Sequence, residues 1–135
     1  MSIHLERRDL INTQQMEVAV RGPDGATHLI LCTGMVCLDA SLHETYTFFV
    51  GPKLSRRQFV AVTVSGALSK IQLSNKNFMK IDDEVELGTD LIAISAQHDE
   101  ESGQVKVRAE VSSSITMTKL SISYSLSILA ELTIY

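Results

Sequence analysis

Apolar and polar residues alternate with a period of two along most of the chain. Val105, Val107, Ala109 and Val111 alternate with Gln104, Lys106, Arg108 and Glu110, which is the pattern of a strand with one dry and one wet face. Tyr46, Phe48 and Val50 form a shorter run that ends at Gly51-Pro52. Val60, Val62 and Val64 alternate with Ala61, Thr63 and Ser65. Met16, Val18 and Val20 precede Arg21-Gly22-Pro23-Asp24-Gly25, a strong turn signal. The polar stretch 98–103, HDEESG, predicts a hairpin loop before the strand that starts at Gln104. Gly66 is expected to separate the Val60 strand from Ile71 and Leu73, and Gly88-Thr89-Asp90 to part Val85 and Leu87 from Leu91.

This punctuation predicts roughly eight to ten strands at the spacing of a sandwich or barrel. The expected fold is all-β: an antiparallel β-sandwich, jelly-roll-like, with a flattened β-barrel as the alternative. No long stripe of period 3.6 competes; residues 5–16 are the one segment with some helical character. A length of 135 residues predicts one domain over 1–135.

The stretch 120–135, LSISYSLSILAELTIY, is the most ordered pattern in the chain. Its even positions from Leu120 to Ile134 are all apolar, while Ser121, Ser123, Ser125 and Ser127 form a comb on the other face. Between 105 and 117 the apolar residues fall on odd numbers, so a turn or bulge is required between about 112 and 119. Fifteen residues in one straight strand span about 50 Å, against about 37 Å for the diameter of a compact domain of this length. The strand must bend, break or continue into a neighbour. It carries neither Lys nor Pro between Leu120 and Ala130, so as an open edge it would be an aggregation hazard. It is therefore expected to be covered, as a central strand or by another chain. Ser121, Ser123, Ser125, Ser127 and Leu129 are the candidate interface residues for self-association.

Charge adds one feature. Lys53, Arg56, Arg57, Lys70, Lys76 and Lys80 occupy 51–80 with no acidic residue among them. Asp82, Asp83, Glu84, Glu86, Asp90, Asp99, Glu100 and Glu101 follow with no Lys or Arg up to position 101. Either the blocks pair within the domain, at 0–1 kcal/mol or so per exposed pair, or they steer association between copies. Lys53, Arg56 and Arg57 on one side and Asp82, Asp83 and Glu84 on the other are the candidate contacts. The net charge of −4 weighs against a dedicated nucleic-acid binder, and Trp is absent. Phe59 beside Arg56 and Arg57 is the sole stacking neighbourhood, with Phe49 and Phe59 expected to point outward. No stretch is apolar enough for a spanning helix, and the charges at 6–9 do not fit a secretory signal. The cytoplasm, or a particle assembled there, is the expected location.

Reaction chemistry is sparse. The glycines form no GxGxxG, Walker or GxSxG frame, and the histidines at 4, 28, 43 and 98 are scattered. His98, Asp99, Glu100 and Glu101 make the best polar cluster: a solvated turn, or a weak candidate cation loop without the alternating ligands of an EF-hand. Cys32 and Cys37 read as two reduced, buried thiols; they could bridge only if 33–36 were a hairpin loop. No cofactor is implied. The leading expectation is a non-enzymatic structural protein, a homo-oligomeric building block of a particle or tube. The alternative is a small-ligand or cation-binding sandwich using its end loops, with an enzyme third.

Overall fold

The computed structural model describes residues 2–20, 27–40, 43–73, 89–113 and 118–132. Within them lie eight strands: β1 (Ser2–His4), β2 (Leu10–Ala19), β3 (Thr27–Ala40), β4 (His43–Val50), β5 (Phe59–Leu73), β6 (Thr89–His98), β7 (Val105–Ser113) and β8 (Thr118–Glu131). A 3-10 turn at Arg7–Asp9 joins β1 to β2. No helix among the described residues is long and apolar enough to cross a membrane.

The strands form two four-stranded sheets, here called I (order β1-β4-β7-β6) and II (order β2-β3-β8-β5). They face each other as a sandwich and do not close into a barrel. All pairings are antiparallel except β1 with β4. From β3 to β6 successive strands alternate between the sheets; the chain then returns, β7 against β4 and β8 against β3. That wrapping is jelly-roll-like.

The core follows the alternation. Val105, Val107, Ala109 and Val111 of β7 are buried, as are Tyr46, Phe48 and Val50 of β4. Across from them Leu120, Ile122, Tyr124, Leu126, Ile128 and Ala130 of β8 are buried beside Ile30, Cys32, Val36 and Leu38 of β3. Each fully buried large aliphatic side chain contributes about 1.5–3 kcal/mol. The parity change between β7 and β8 is a change of sheet: β7 faces the core from sheet I and β8 from sheet II.

Strand β8 is central, hydrogen-bonded to β3 along one edge and to β5 along the other. Its length is matched by theirs, 14 residues in β3 and 15 in β5, so the sheet itself accommodates it. Neither a neighbouring chain nor a break is needed for that.

Several expectations are corrected. Residues 5–16 hold the 3-10 turn and most of β2, with no α-helix. Gly66 does not end a strand; β5 runs through it to Leu73. Cys32 and Cys37 are free thiols as expected, on opposite faces of one continuous strand, but Cys37 is only partly buried. Phe59 points to the core side opposite Ala130 and stacks on His98 at 5.0 Å. The segment 74–88, with Asp82, Asp83 and Glu84, lies outside the described residues, as do the turn at 21–25 and residues 114–117.

The largest correction is in β2. Leu10 pairs with Val36 and Ile11 with Met35, but after a bulge Gln14 pairs with Thr33 and Gln15 with Cys32. The register slips by one, and Asn12 takes a left-handed φ of 52° within the bulge. One residue of slip exchanges the faces of everything that follows. Met16 and Val18 therefore share a face with Leu31 and Leu29, away from the core, and are 61% and 44% exposed.

Candidate functional site

The bulge gives sheet II an outer surface that its alternation alone would not. In register, Val18 lies beside Leu29, Leu29 beside Leu129, and Leu129 beside Ala61. The next row holds Met16, Leu31, Ser127 and Thr63, and the one after it Gln14, Thr33, Ser125 and Ser65. Ile11, Met35, Ser123 and Ala67 follow, and then Cys37 beside Ser121. One end of the face is aliphatic and the other is built from small hydroxyl and methyl groups. The first four of these rows contain no Asp, Glu, Lys or Arg, and the row of Cys37 and Ser121 continues to Lys70 on β5. A water-facing antiparallel sheet ordinarily carries charge on its wet side.

The serine comb lies within this surface. Ser125 is exposed, Ser123, Ser127 and Leu129 are half-buried, and Ser121 is buried, its hydroxyl 3.6 Å from the Cys37 thiol. All five candidate residues thus share one face of one strand. The charged candidates do not join them. Arg56 pairs with Glu100 at 3.1 Å, a link within the chain between the basic and acidic blocks. Arg57 is exposed on the same turn, and Lys53 is exposed beside a cavity described below.

The loop after β6 is organised by its own hydrogen bonds. His98 Nε2 lies 2.8 Å from the Leu54 carbonyl and 3.2 Å from that of Gly103. Both are acceptors, so this nitrogen carries the proton and donates. The Asp99 carboxylate accepts from the Ser102 hydroxyl at 2.8 Å and its backbone N–H at 3.0 Å. Those two bonds hold its pKa below the ordinary aspartate value. Glu101 is exposed. Among the described residues no three His, Cys, Asp or Glu side chains converge as metal ligands.

A second feature escaped the sequence reading. On the core side, β2 overhangs the short edge strand β1, leaving a cavity of about 670 Å³ lined by Leu5, Arg7, Leu10, Gln15, Cys32, Phe49, Lys53 and Tyr124, among others. Tyr124 is 3% exposed, and its ring lies against Phe48 at 5.4 Å between centroids. Its row neighbours on β3 and β5 are Gly34 and Gly66; the missing side chain of Gly34 leaves room for the ring, and that of Gly66 leaves room for Ile94 and Leu91. Burial, with a smaller contribution from Cys32, pushes the phenol up to about 12. The sequence signal was present in the two glycines flanking an aromatic, but it becomes legible only with the register.

Compared with protein-family models, with curated proteins and with solved structures, the chain matches none.

Proposed function

We propose that this protein is a non-enzymatic, homo-oligomeric building block, and that its copies associate through the outer face of sheet II. The observation that carries the reading is the run of four uncharged rows on that face, with Met16, Val18 and Ile11 exposed on it. Four strands about 4.8 Å apart, over about nine residues of 3.3 Å each, present roughly 550 Å². Two such faces bury roughly 1,100 Å², above the threshold of about 1,000 Å² for a specific contact. Sheets pack face to face about 10 Å apart, and the small side chains of Ser123, Ser125, Ser65 and Ala67 let a second sheet approach. The occupant is a second copy, because a two-fold contact with its axis along the strands sets aliphatic end on aliphatic end.

Light scattering on the purified chain tests this. A species of at least twice 14.9 kDa is expected at micromolar concentration, and Ser123→Lys with Ser125→Lys should give a smaller, still folded species. A wild-type monomer at every accessible concentration would end the proposal.

A further inference from the structure

The cavity under β2 lies on the opposite side of sheet II from the self-association face, and its chemistry is of another kind. Its lining is mixed: Leu5, Leu10 and Phe49 supply apolar surface, and Thr13, Gln15 and Gln104 supply hydroxyl and amide groups. At its inner end the Tyr124 hydroxyl belongs to a side chain buried in the core, yet it has no hydrogen-bond partner among the described residues. No buried side-chain nitrogen or oxygen among the described residues lacks a partner, so this hydroxyl is open to the cavity, where a bound group can accept a hydrogen bond from it. Arg7 and Lys53 also line it, and neither has an ion-pair partner among the described residues. The one acid beside them, Glu6, is engaged already, 3.3 Å from Arg8 Nε and bonded to the Asp9 backbone N–H. The cationic groups are thus left available to a bound molecule. The volume falls within the range of about 300–1,000 Å³ found for small-molecule sites.

We propose that this cavity binds a small organic anion. Its apolar body packs on Leu5, Leu10 and Phe49, its charged group meets Arg7 and Lys53, and a polar substituent at its far end accepts a hydrogen bond from Tyr124 Oη. A neutral phenol is the right donor for such an acceptor, and the site keeps it neutral. Specificity comes from the two ends, since the apolar side chains between them accept any body of suitable size. The inference is independent of how copies associate.

The test uses 7-hydroxycoumarin-3-carboxylate, a fluorescent planar carboxylate with a polar group at its other end, titrated against the full chain and followed by anisotropy. Saturable binding with one site per chain is expected. Arg7→Glu combined with Lys53→Glu should weaken it about ten-fold or more, as two opposed charges replace two attractive ones. Tyr124→Phe should weaken it about three- to ten-fold, the equivalent of one hydrogen bond. Ser123→Lys with Ser125→Lys, on the other face, should leave it unchanged. Melting curves confirm that each variant is folded, and the Arg7 and Lys53 changes, both on exposed residues, keep the test sound if Tyr124→Phe does not fold. Binding that never saturates, or that is indifferent to the cavity substitutions, overturns the assignment.

Discussion

Gly34 and Tyr124 face each other across β3 and β8, and a Cβ on Gly34 would stand 2.5 Å from Tyr124 Oη and 2.8 Å from its Cζ. The ring is held by Phe48 and the surrounding core, so it cannot swing away. Gly34→Ala is therefore expected to destabilise the fold by about 1–3 kcal/mol, the usual range for overpacking. A Cβ on Gly66 would meet the terminal methyl of Ile94 at 2.8 Å, the Ser123 carbonyl oxygen at 3.3 Å and Leu91 Cδ2 at 3.6 Å; the closest of these is the movable end of a side chain, so Gly66→Ala should cost less. Urea unfolding of both variants checks the order; equal costs would show that Tyr124 is not the obstacle.

Tyr124 sets an alkaline limit on stability. The free phenol titrates at 10.0 and the folded one at about 12. Below pH 10 both states hold the proton and the contribution is constant. Between 10 and 12 the unfolded chain loses it first, so stability falls as pH rises, by about 1.4 kcal/mol per unit at most. Absorbance at 295 nm should reveal a late-titrating tyrosine that Tyr124→Phe removes.

The thiols distinguish the two faces of β3. Two free thiols per chain are expected under denaturing, non-reducing conditions, since both cysteines are unbridged. In the native protein Cys37 should react first, because burial raises the Cys32 pKa and lowers its thiolate fraction. Cys37 lies on the outer face of sheet II, so its labelling should slow as protein concentration rises and copies associate. A rate independent of concentration counts against that face as the interface.

In the loop at 98–103 the three acids are not equivalent. Glu100→Ser and Glu101→Ser should shift Tm by no more than about 2 °C, as for ordinary surface sites. Asp99→Ser should lower it measurably, because Ser102 then loses the acceptor for both its hydroxyl and its N–H. The depressed Asp99 pKa means that its contribution is present above the free value of 3.8 and is lost as pH falls below it. The gap between parent and Asp99→Ser in thermal melts should therefore close in acid.

Salt separates the two modes of association. A contact between uncharged faces should be unchanged or strengthened between about 50 mM and 1 M NaCl, where the screening length falls to about 3 Å. A contact between the basic and acidic blocks should weaken over the same range. The Arg56–Glu100 pair already satisfies one member of each block within the chain, so the first result is expected by light scattering.

Most of the architecture was legible in the sequence because β4, β7 and β8 are half-buried strands whose alternation is not interrupted. Val105 to Val111 and Leu120 to Ala130 read correctly for that reason. The reading failed at β2, where one residue with a left-handed backbone reverses the faces, and Asn12 carries no turn partner that would announce it. It failed at Gly66 too, because a glycine that makes room for Ile94 of the facing sheet looks the same as one that ends a strand. The cavity depends on β1 being too short to lie under all of β2, a property of two elements together that neither segment states alone.

The central place of β8 has a kinetic consequence. Strands β3 and β5 are both complete by residue 73, yet in sheet II they meet only through residues 118–131. During synthesis, at about 5–20 residues per second, each offers an open edge for several seconds before the strand that joins them exists. Folding must then close loops of many tens of residues, the costly kind of contact that makes wrapped β topologies fold in milliseconds to seconds. The uncharged run Phe59–Ser69 is the segment most exposed to mispairing in that interval. Its protection is a matter of timing, and stopped-flow refolding at rising chain concentration should show aggregation competing with a single slow phase.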